Sequence, residues 1–241
     1  MGVFEGWFGT RWYGMLYRHR DEQDAATMAL PVIAKGKLRP GMEILDMACG
    51  RGRHASIFAR EGLRVTGVDI SPESIHEAAM ATPSAHFEVF DMRKPYALGR
   101  FDAVVCLFTS LGYTSNRQDD DLAVTAAAIA LKPSGLFVLD LLNGEKVADH
   151  LVPLETRTIG QAQFEVRKAW DQGDIVKQIT VKHPDGQEMF EERVHAWTVE
   201  EVRAMIGRSG LQITEITDGD CSTPFDEKVS ERIVVWARKP A

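Results

Sequence analysis

The sequence predicts an α/β fold in which a mostly parallel seven-stranded sheet carries helices on both faces and an antiparallel β-meander is inserted late in the chain. From Met42 to Leu142, short apolar runs alternate with helix-like stretches, the pattern of parallel strands joined by crossover helices. From Gln163 to Trp197, apolar and polar residues alternate with a period of two, which is typical of an antiparallel sheet. After Thr198, one helix and two strands resume the first pattern.

The parallel region is assigned from its apolar runs. The predicted strands are Met42–Asp46, Arg64–Asp69, His86–Phe90, Phe101–Leu107 and Gly135–Leu142, and the predicted helices are Gly52–Glu61, Pro72–Ala81 and Asp119–Leu131. Ser71 is the expected N-cap of the second helix, because its hydroxyl can accept from a free N–H group and Pro72 suits the first position. Pro133 is expected to stop the third helix, since proline has no N–H to donate.

The meander and the closing elements are assigned in the same way. Three alternating segments form the predicted meander, namely Gln163–Asp171, Asp174–Lys182 and Glu188–Trp197. Thr198 is the expected cap of a helix, Val199–Ser209, and strands Leu211–Thr217 and Glu231–Arg238 close the chain. The predicted organisation is an N-terminal helical lid segment (1–37), an α/β core (38–152 and 198–241) and an antiparallel insertion (153–197).

Composition limits the classes of partner. The chain has 241 residues, with 28 Lys+Arg against 35 Asp+Glu and a formal net charge of −7. This acidic balance, without a run of about five basic residues, argues against a nucleic-acid partner. No stretch approaches the roughly 20 apolar residues of a membrane helix, and no export signal is visible. The three cysteines, Cys49, Cys106 and Cys221, include no C-x-x-C pair, so we expect neither a disulfide framework nor a metal site. We therefore expect a cytoplasmic protein.

The strongest motif is a strand that runs into a glycine turn and opens a helix. Gly50 and Gly52 lack Cβ atoms, so the backbone can take unusual torsions and approach a ligand, while the following helix presents free N–H groups. A nucleotide-like ligand fits such a turn. Gly50-x-Gly52-x-x-Ala55 also satisfies the dinucleotide fingerprint, in which the helix start holds a pyrophosphate. The turn alone therefore leaves two cofactor classes open.

Three acids favour one of these classes. Asp46, four residues before Gly50, would repel a pyrophosphate but suits a ligand with an ammonium and a sulfonium, such as S-adenosylmethionine. Asp69 ends the second strand, where its oxygens can accept from both ribose hydroxyls. Asp91 follows the third strand and can accept from an adenine amino group, although a plain turn residue would also fit there. The three acids together predict S-adenosylmethionine as the cofactor.

With these residues in place, the chain resembles the class I S-adenosylmethionine-dependent methyltransferases, whose first motif is an acid, three residues and Gly-x-Gly. The resemblance covers most of Leu38–Leu142 and implies a Rossmann-like fold. More locally, Asp46-Met-Ala-Cys-Gly-Arg-Gly-Arg-His and the stretch from Phe101 to Tyr113 resemble the small-molecule and amino-sugar N-methyltransferases, which often carry an antiparallel insertion after the fifth strand.

The resemblance also implies roles for individual residues. The turn from Ala48 to Gly52 would pass the methionine part of the cofactor, and Asp69, with Ile70 beside it, would bind the ribose. Asp91 and Met92 would flank the adenine. The implied reaction is methyl transfer.

The segment after the fourth strand holds candidates on the substrate side, because ligands of open α/β sheets lie at the carboxyl ends of the strands. Leu107 or Phe108 could pack against the adenine or the methyl group, with core packing as the alternative. Tyr113 is the candidate catalytic residue, since its phenol could point at the acceptor. In the amino-sugar enzymes this neighbourhood can hold a histidine base, and here a tyrosine stands instead.

The N-terminal segment is aromatic and basic. Tyr13 and Tyr17 are one helical turn apart and could form a lid whose hydroxyls, with Arg18 or Arg20, hold the cofactor carboxylate. The alternative is an amphipathic helix packed on the sheet. The histidines lack metal-ligand spacing and are expected to be surface, strand or structural residues.

The sequence therefore predicts a methyltransferase acting on a small-molecule nitrogen or oxygen. A nicotinamide-dependent oxidoreductase and a non-catalytic cofactor-binding module remain as alternatives. The meander begins at the carboxyl end of Gly135–Leu142, so we expect it beside the substrate mouth. Its apolar residues exceed what a solvated hairpin needs: Phe164, Val166, Ala169, Ile175, Val176, Ile179 and Val181. At least one face should be covered, by the main domain or by a second copy in a homodimer.

Overall fold

A central sheet of seven strands and a separate sheet of four strands make up the computed structural model, which describes residues 7–17, 22–113 and 116–241. The central strands are β1 (Glu43–Met47), β2 (Arg64–Asp69), β3 (His86–Val89), β4 (Phe101–Cys106), β5 (Leu131–Leu142), β10 (Gln212–Thr217) and β11 (Arg232–Arg238). The second sheet holds β6 (Leu154–Ile159), β7 (Ala162–Asp171), β8 (Asp174–His183) and β9 (Gly186–His195). The helices are α1 (Arg11–Leu16), α2 (Glu22–Gly36), α3 (Arg53–Arg60), α4 (Pro72–Ala81), α5 (Arg117–Ala130), α6 (Gly144–Asp149) and α7 (Val199–Arg208).

Strand order in the central sheet is β10-β11-β5-β4-β1-β2-β3. β1 to β5 pair in parallel, and β11 runs antiparallel between β5 and β10. Asp46 at the end of β1 lies opposite Gly67 on β2 and Val105 on β4. The chain leaves β1 towards β2 on one side and reaches β4 on the other, which is the switch point where open α/β sheets bind ligands. The predicted fold class is confirmed.

Helices cover both faces of this sheet. On one face, α5 and α7 pack on β4 and β5 in an apolar cluster that includes Val124, Leu139 and Met205. On the other face, α2 and α3 pack in a cluster that includes Val32 and Phe58. Among the described residues, no helix is long and apolar enough to cross a membrane.

Local signals set several helix starts as predicted. The Ser71 side chain accepts from the Ser74 N–H group, with Pro72 next in the chain. Thr198 and Glu201 form a reciprocal capping box at α7. The prediction for Pro133 was wrong in one respect, because α5 already ends at Ala130. β5 begins at Leu131, so the proline lies inside the irregular start of a strand, next to a register shift against β4.

Two elements were missed. β6 pairs antiparallel with β7 and extends the meander to four strands, but its residues are mostly exposed and polar, so no apolar alternation marks it. The short helix α6 follows β5 directly. The boundaries of the three predicted segments remain predictions.

One face of the four-stranded sheet is covered by the N-terminal segment of the same chain. Trp7, Trp12 and Leu16 pack there against strand residues such as Phe164 and Ile179. Ala169, which we expected on an apolar face, is exposed. The covered face accounts for Phe164, Val166, Ile179 and Val181 without a second copy, and Ile175 packs beside Tyr113. The homodimer stays a prediction, which sedimentation at micromolar concentration tests.

Candidate cofactor site

The glycine turn joins β1 to α3 through three residues with positive φ. Ala48 has φ 54°, Gly50 has φ 54° and Gly52 has φ 76°. A Cβ atom added to Gly50 would meet nothing within 4 Å, whereas one added to Gly52 would lie 3.0 Å from Ala78 Cβ. Gly50 therefore leaves open space for a ligand above the turn, and Gly52 allows close packing against α4. The two glycines have different tasks in one turn.

Asp46 lies beneath this turn, at the end of β1. Its side chain is 1% exposed, and within the described chain its Oδ2 atom has no hydrogen-bond partner. Burial, together with the charge of the neighbouring Asp69, raises the pKa of its carboxyl group to about 7, although Arg53 opposes the shift. A buried, unpaired carboxyl oxygen is costly by itself and is well suited to a cationic ligand group.

Asp69 ends β2 and faces the glycine turn. One of its oxygens accepts from the Gly50 N–H group at 2.9 Å, and the other accepts from the Ser71 N–H group at 2.9 Å. Burial raises the pKa of this carboxyl group. Each carboxylate oxygen can accept more than one hydrogen bond, so both remain able to accept from hydroxyl groups. Ile70, the next residue, has an apolar side chain that is 51% exposed.

Asp91 already has a partner in the chain. Its carboxylate accepts from Arg93 Nε at 2.9 Å and from Arg93 Nη2 at 2.8 Å, and Arg93 also pairs with Asp119. These bonds lower the pKa of Asp91. The structure therefore shows Asp91 as a turn residue paired with Arg93, and its binding of adenine stays a prediction. Met92 packs at the edge of the main core cluster.

The segment after β4 makes a strained turn. Leu107 is 4% exposed and belongs to the apolar cluster on the α2–α3 face, so the core alternative describes its side chain, and its role at the cofactor stays a prediction. Phe108 has φ 64° and Thr109 has φ 59°. Such torsions cost about 1–2 kcal/mol for each non-glycine residue. The Phe108 ring lies 4.1 Å from the Arg53 guanidinium carbon and 5.1 Å from that of Arg232.

A buried ion pair supports this turn. Asp140 on β5 is fully buried and pairs with Arg232 on β11 through Nε at 2.5 Å and Nη2 at 2.9 Å. The Phe108 N–H group donates to Asp140 Oδ2 at 2.7 Å, and Arg232 Nη2 donates to Thr109 Oγ1 at 3.0 Å. Sequence reasoning missed this group, because its members lie on three separate strands or loops. An acid inside an apolar strand was the only available signal.

Two histidines lie near these elements. His54, in the first turn of α3, is buried, and burial together with Arg53 and Arg232 lowers its pKa to about 3, so the ring is neutral and fits the structural role that we predicted. His195 ends β9, where its ring nitrogens lie 3.0 Å from Asp174 and 3.2 Å from Glu201. The backbone N–H group of His195 donates to the Gly112 carbonyl at 2.8 Å, and this bond joins the meander to the loop before Tyr113.

Tyr113 lies where the meander meets the core. It packs against the cluster of Ile175, Val194 and Ala196. Its ring is 5.2 Å from that of Phe8 in an edge-to-face arrangement. The meander therefore touches the segment that follows β4, at the carboxyl edge of the central sheet, as we expected.

The N-terminal segment lies between the meander and the glycine turn. The Tyr17 hydroxyl donates to Glu192 on β9 at 3.1 Å, and the Tyr13 ring lies 4.9 Å from the Tyr17 ring. A Cβ atom on Gly14 would lie 2.6 Å from Arg51 of the glycine turn. The helix therefore packs on the inserted sheet and reaches over the cofactor edge. Arg18 and Arg20, predicted to hold the cofactor carboxylate, lie outside the described residues.

A cavity of about 810 Å³ separates this segment from α4. Gly9, Arg11, Gly14 and Met15 line it on one side, and Arg51, Pro72, Glu73, His76 and Glu77 line it on the other. The cavity opens beside the glycine turn. In the described part of the chain, no group of three or more His, Cys, Asp or Glu side chains could hold a metal ion.

Comparisons with known proteins agree with this geometry. Residues 44–135 match the family model of a methyltransferase domain. The chain is 29% identical over 165 residues to the dTDP-3-amino-3,4,6-trideoxy-alpha-D-glucopyranose N,N-dimethyltransferase of Streptomyces venezuelae, covering 65% of this chain and 69% of that protein. An S-adenosylmethionine-dependent methyltransferase from Clostridium acetobutylicum has TM-score 0.81 at 19% identity, covering 95% of this chain and 97% of that one.

A further structure contains the cofactor. The amino pentose methyltransferase CalS10 of Micromonospora echinaspora, solved with S-adenosylmethionine bound, has TM-score 0.70 at 23% identity, covering 95% of this chain and 97% of that one. The residues of this chain fit the same group, because Asp46 Oδ2 is buried without a partner and the space above Gly50 is open. The glycine turn left two cofactor classes open, and the match to a methyltransferase domain favours S-adenosylmethionine. Residues 44–135 form a methyltransferase domain, and the chain is similar to S-adenosylmethionine-dependent methyltransferases.

Proposed function

We propose that this methyltransferase acts on an amine nitrogen of a small molecule, in the cleft between the core and the meander. The observation that carries the proposal is a chain of aromatic rings that joins the loop after β4 to the N-terminal segment. Tyr113 meets Phe8 at 5.2 Å, Phe8 meets Tyr13 at 5.2 Å and Tyr13 meets Tyr17 at 4.9 Å. Aromatic faces attract cationic groups, and an alkylamine is a cation at neutral pH.

One acid, the buried Glu192, lies at the end of this chain of rings. It accepts from Tyr17 at 3.1 Å and from Lys177 Nζ at 2.6 Å, so its charge is already paired and the rings carry the argument for a cationic group. The Streptomyces venezuelae relative is named as an N,N-dimethyltransferase of an amino sugar nucleotide. An amine-bearing sugar is the substrate class that this name suggests for the present chain.

We place the cofactor across the carboxyl ends of β1 and β2. When bound, it supplies a methyl group on a sulfonium, which is already an activated leaving group. The glycine turn would pass its methionine part, Asp46 would face its ammonium group and Asp69 would accept from its ribose hydroxyls. The set of residues that we propose to line the cofactor also includes Ala48, Gly50, Gly52, Ile70, Asp91, Met92 and Leu107.

Tyr113 is the residue that we propose on the acceptor side. The reaction is an in-line displacement, so alignment of acceptor and methyl group supplies most of the rate. The ammonium form that the rings attract must first lose a proton to solvent, and the neutral amine then attacks without further help. The phenol of Tyr113 could accept a hydrogen bond from the N–H group of that amine. The meander would wall the pocket, and Tyr13 and Tyr17 would close it from above.

The test compares matched acceptors. The enzyme is incubated with S-adenosylmethionine and pairs of small molecules that differ only in an amine or a hydroxyl group, including amino sugars and their nucleotide forms. S-adenosylhomocysteine is then measured by mass spectrometry. We expect product with the amine members and little with their hydroxyl partners. Turnover of the hydroxyl members alone would contradict the proposed acceptor and identify an O-methyltransferase.

A further inference from the structure

We propose that Asp140, Arg232 and Thr109 are positioning residues for the cofactor site, which they serve by holding the Phe108 ring against Arg53 at the rim of the glycine turn. The inference rests on the cofactor position proposed above. None of the three residues is among those that we place against the cofactor, and two of them lie on β5 and β11. They act through the backbone of the turn after β4.

The turn needs such support because two successive residues have left-handed torsions. Phe108 at φ 64° and Thr109 at φ 59° would relax to other conformations in a free loop. Their N–H groups are both directed to Asp140: the first donates to Oδ2 at 2.7 Å, and the second donates to its backbone carbonyl at 2.9 Å. Because two successive N–H groups donate to the same residue, Asp140, they fix the direction of the turn.

The threonine hydroxyl links the turn to the ion pair. Thr109 Oγ1 accepts from the Leu142 N–H group at 3.0 Å and from Arg232 Nη2 at 3.0 Å. Arg232 in turn makes two bonds to Asp140. The hydroxyl therefore joins the turn to β5 and β11 together, and its loss would release the turn from both strands.

The turn reaches the cofactor site through the Phe108 ring. Arg53, on one side of this ring, is the first residue of α3, directly after Gly52. The charge of Arg53 acts on Asp46, the buried acid beneath the turn, and the charges of both Arg53 and Arg232 act on His54. Arg53 also pairs with Asp24, so a displaced Phe108 ring would remove one of the two contacts that hold it at the methionine end of the site.

The experiment measures binding of S-adenosylhomocysteine by calorimetry, at a temperature where thermal unfolding shows each variant folded. Thr109→Val keeps the branched shape at the same torsion and removes the hydroxyl, whereas Thr109→Ser keeps the hydroxyl. Thr217→Val is the matched control, because Thr217 is buried like Thr109 and its Oγ1 accepts from Trp236 Nε1 at 3.0 Å. Each substitution is also tested with Phe108→Ala.

We expect Thr109→Val to weaken binding roughly tenfold, and Thr109→Ser and Thr217→Val to change it less than about twofold. Phe108→Ala should weaken binding by itself, and adding Thr109→Val to it should have no further effect. Normal binding in folded Thr109→Val, or equal losses in the two valine variants, would overturn the positioning role. Normal binding in Phe108→Ala would do the same.

Asp69→Ala separates failure of this inference from failure of the cofactor position. If Asp69→Ala binds normally, the position of the cofactor is wrong and the positioning role falls with it. If Asp69→Ala loses affinity while Thr109→Val does not, the position stands and only the positioning role is wrong.

Discussion

The carboxyl edge of the central sheet and the contact between the N-terminal segment and the meander are built in different ways. At the edge, Asp46, Gly50 and Asp69 lie within 24 residues and their positions follow from local strand and turn geometry. In the contact, Trp7 donates to Glu192 across 185 positions of sequence. A general cofactor can be held by a local motif, whereas the surface that we propose for the acceptor depends on packing between distant segments.

The largest effect should come from the glycine turn. Gly50→Val should lower the affinity for S-adenosylhomocysteine at least 100-fold, because the side chain would fill open space above the turn and resist a φ of 54°. Calorimetry measures the affinity, and thermal unfolding checks the fold.

Gly52→Ala is the matched control in the same turn. Its Cβ atom would lie 3.0 Å from Ala78 Cβ and 3.1 Å from the Phe87 ring, so we expect a loss of stability. If Gly50→Val stayed folded and bound normally, the open space would not be the ligand site and the local character of this region would be in doubt.

A smaller effect is expected at the end of β2. Asp69→Ala should cost about 1.5–3 kcal/mol of cofactor affinity, because the ribose hydroxyls would lose a charged acceptor. Asp91→Ala should cost about 1 kcal/mol or less, because that carboxylate is already paired with Arg93. Titration of both variants gives the comparison. A larger loss for Asp91→Ala would reverse our ranking of the two acids.

Substitutions in the contact between the N-terminal segment and the meander should lower the free energy of unfolding. Trp7 Nε1 donates to the buried Glu192, and Trp12 Nε1 donates to Glu188, whose side chain is 46% exposed. Trp7→Phe should lower the free energy of unfolding by about 1 kcal/mol more than Trp12→Phe, because water does not compete for the buried bond to Glu192, although Tyr17 and Lys177 still donate to that carboxylate. Chemical denaturation measures both. Equal losses would mean that these bonds do not distinguish the two tryptophans.

Sequence patterns predicted the parallel region closely. β2 and α4 have the predicted bounds, since apolar alternation, Ser71 and Pro72 mark them locally. The predicted start of β5 was four residues too late, because Pro133 was interpreted only as the residue that stops the preceding helix. Pairing of Leu131 with Phe101 draws the chain into the sheet earlier.

The candidate site was only partly predictable, because local motifs can be recognised in the sequence and pairings between distant strands cannot. Asp46, Gly50 and Asp69 share one motif, and the structure brings them together. The pairing of Asp140 with Arg232 spans 92 positions and leaves no periodic signal. β6 was missed because an exposed edge strand needs no apolar alternation.

The most direct test of the account is the pH dependence of cofactor affinity. The folded pKa of Asp46 is about 7, above its ordinary value, so in the unliganded protein the neutral carboxyl is favoured below that pH, and the stability it contributes is lost as the pH rises through 7. A ligand ammonium group would favour the ionised form, so binding below pH 7 must release a proton.

Calorimetry of S-adenosylhomocysteine in buffers of different ionisation enthalpy measures that proton directly. We predict proton release at pH 6.5 and about threefold weaker binding at pH 6.5 than at pH 7.5, both absent in Asp46→Asn. Identical release and pH dependence in wild type and Asp46→Asn would contradict the claim that Asp46 beneath the glycine turn receives the cofactor.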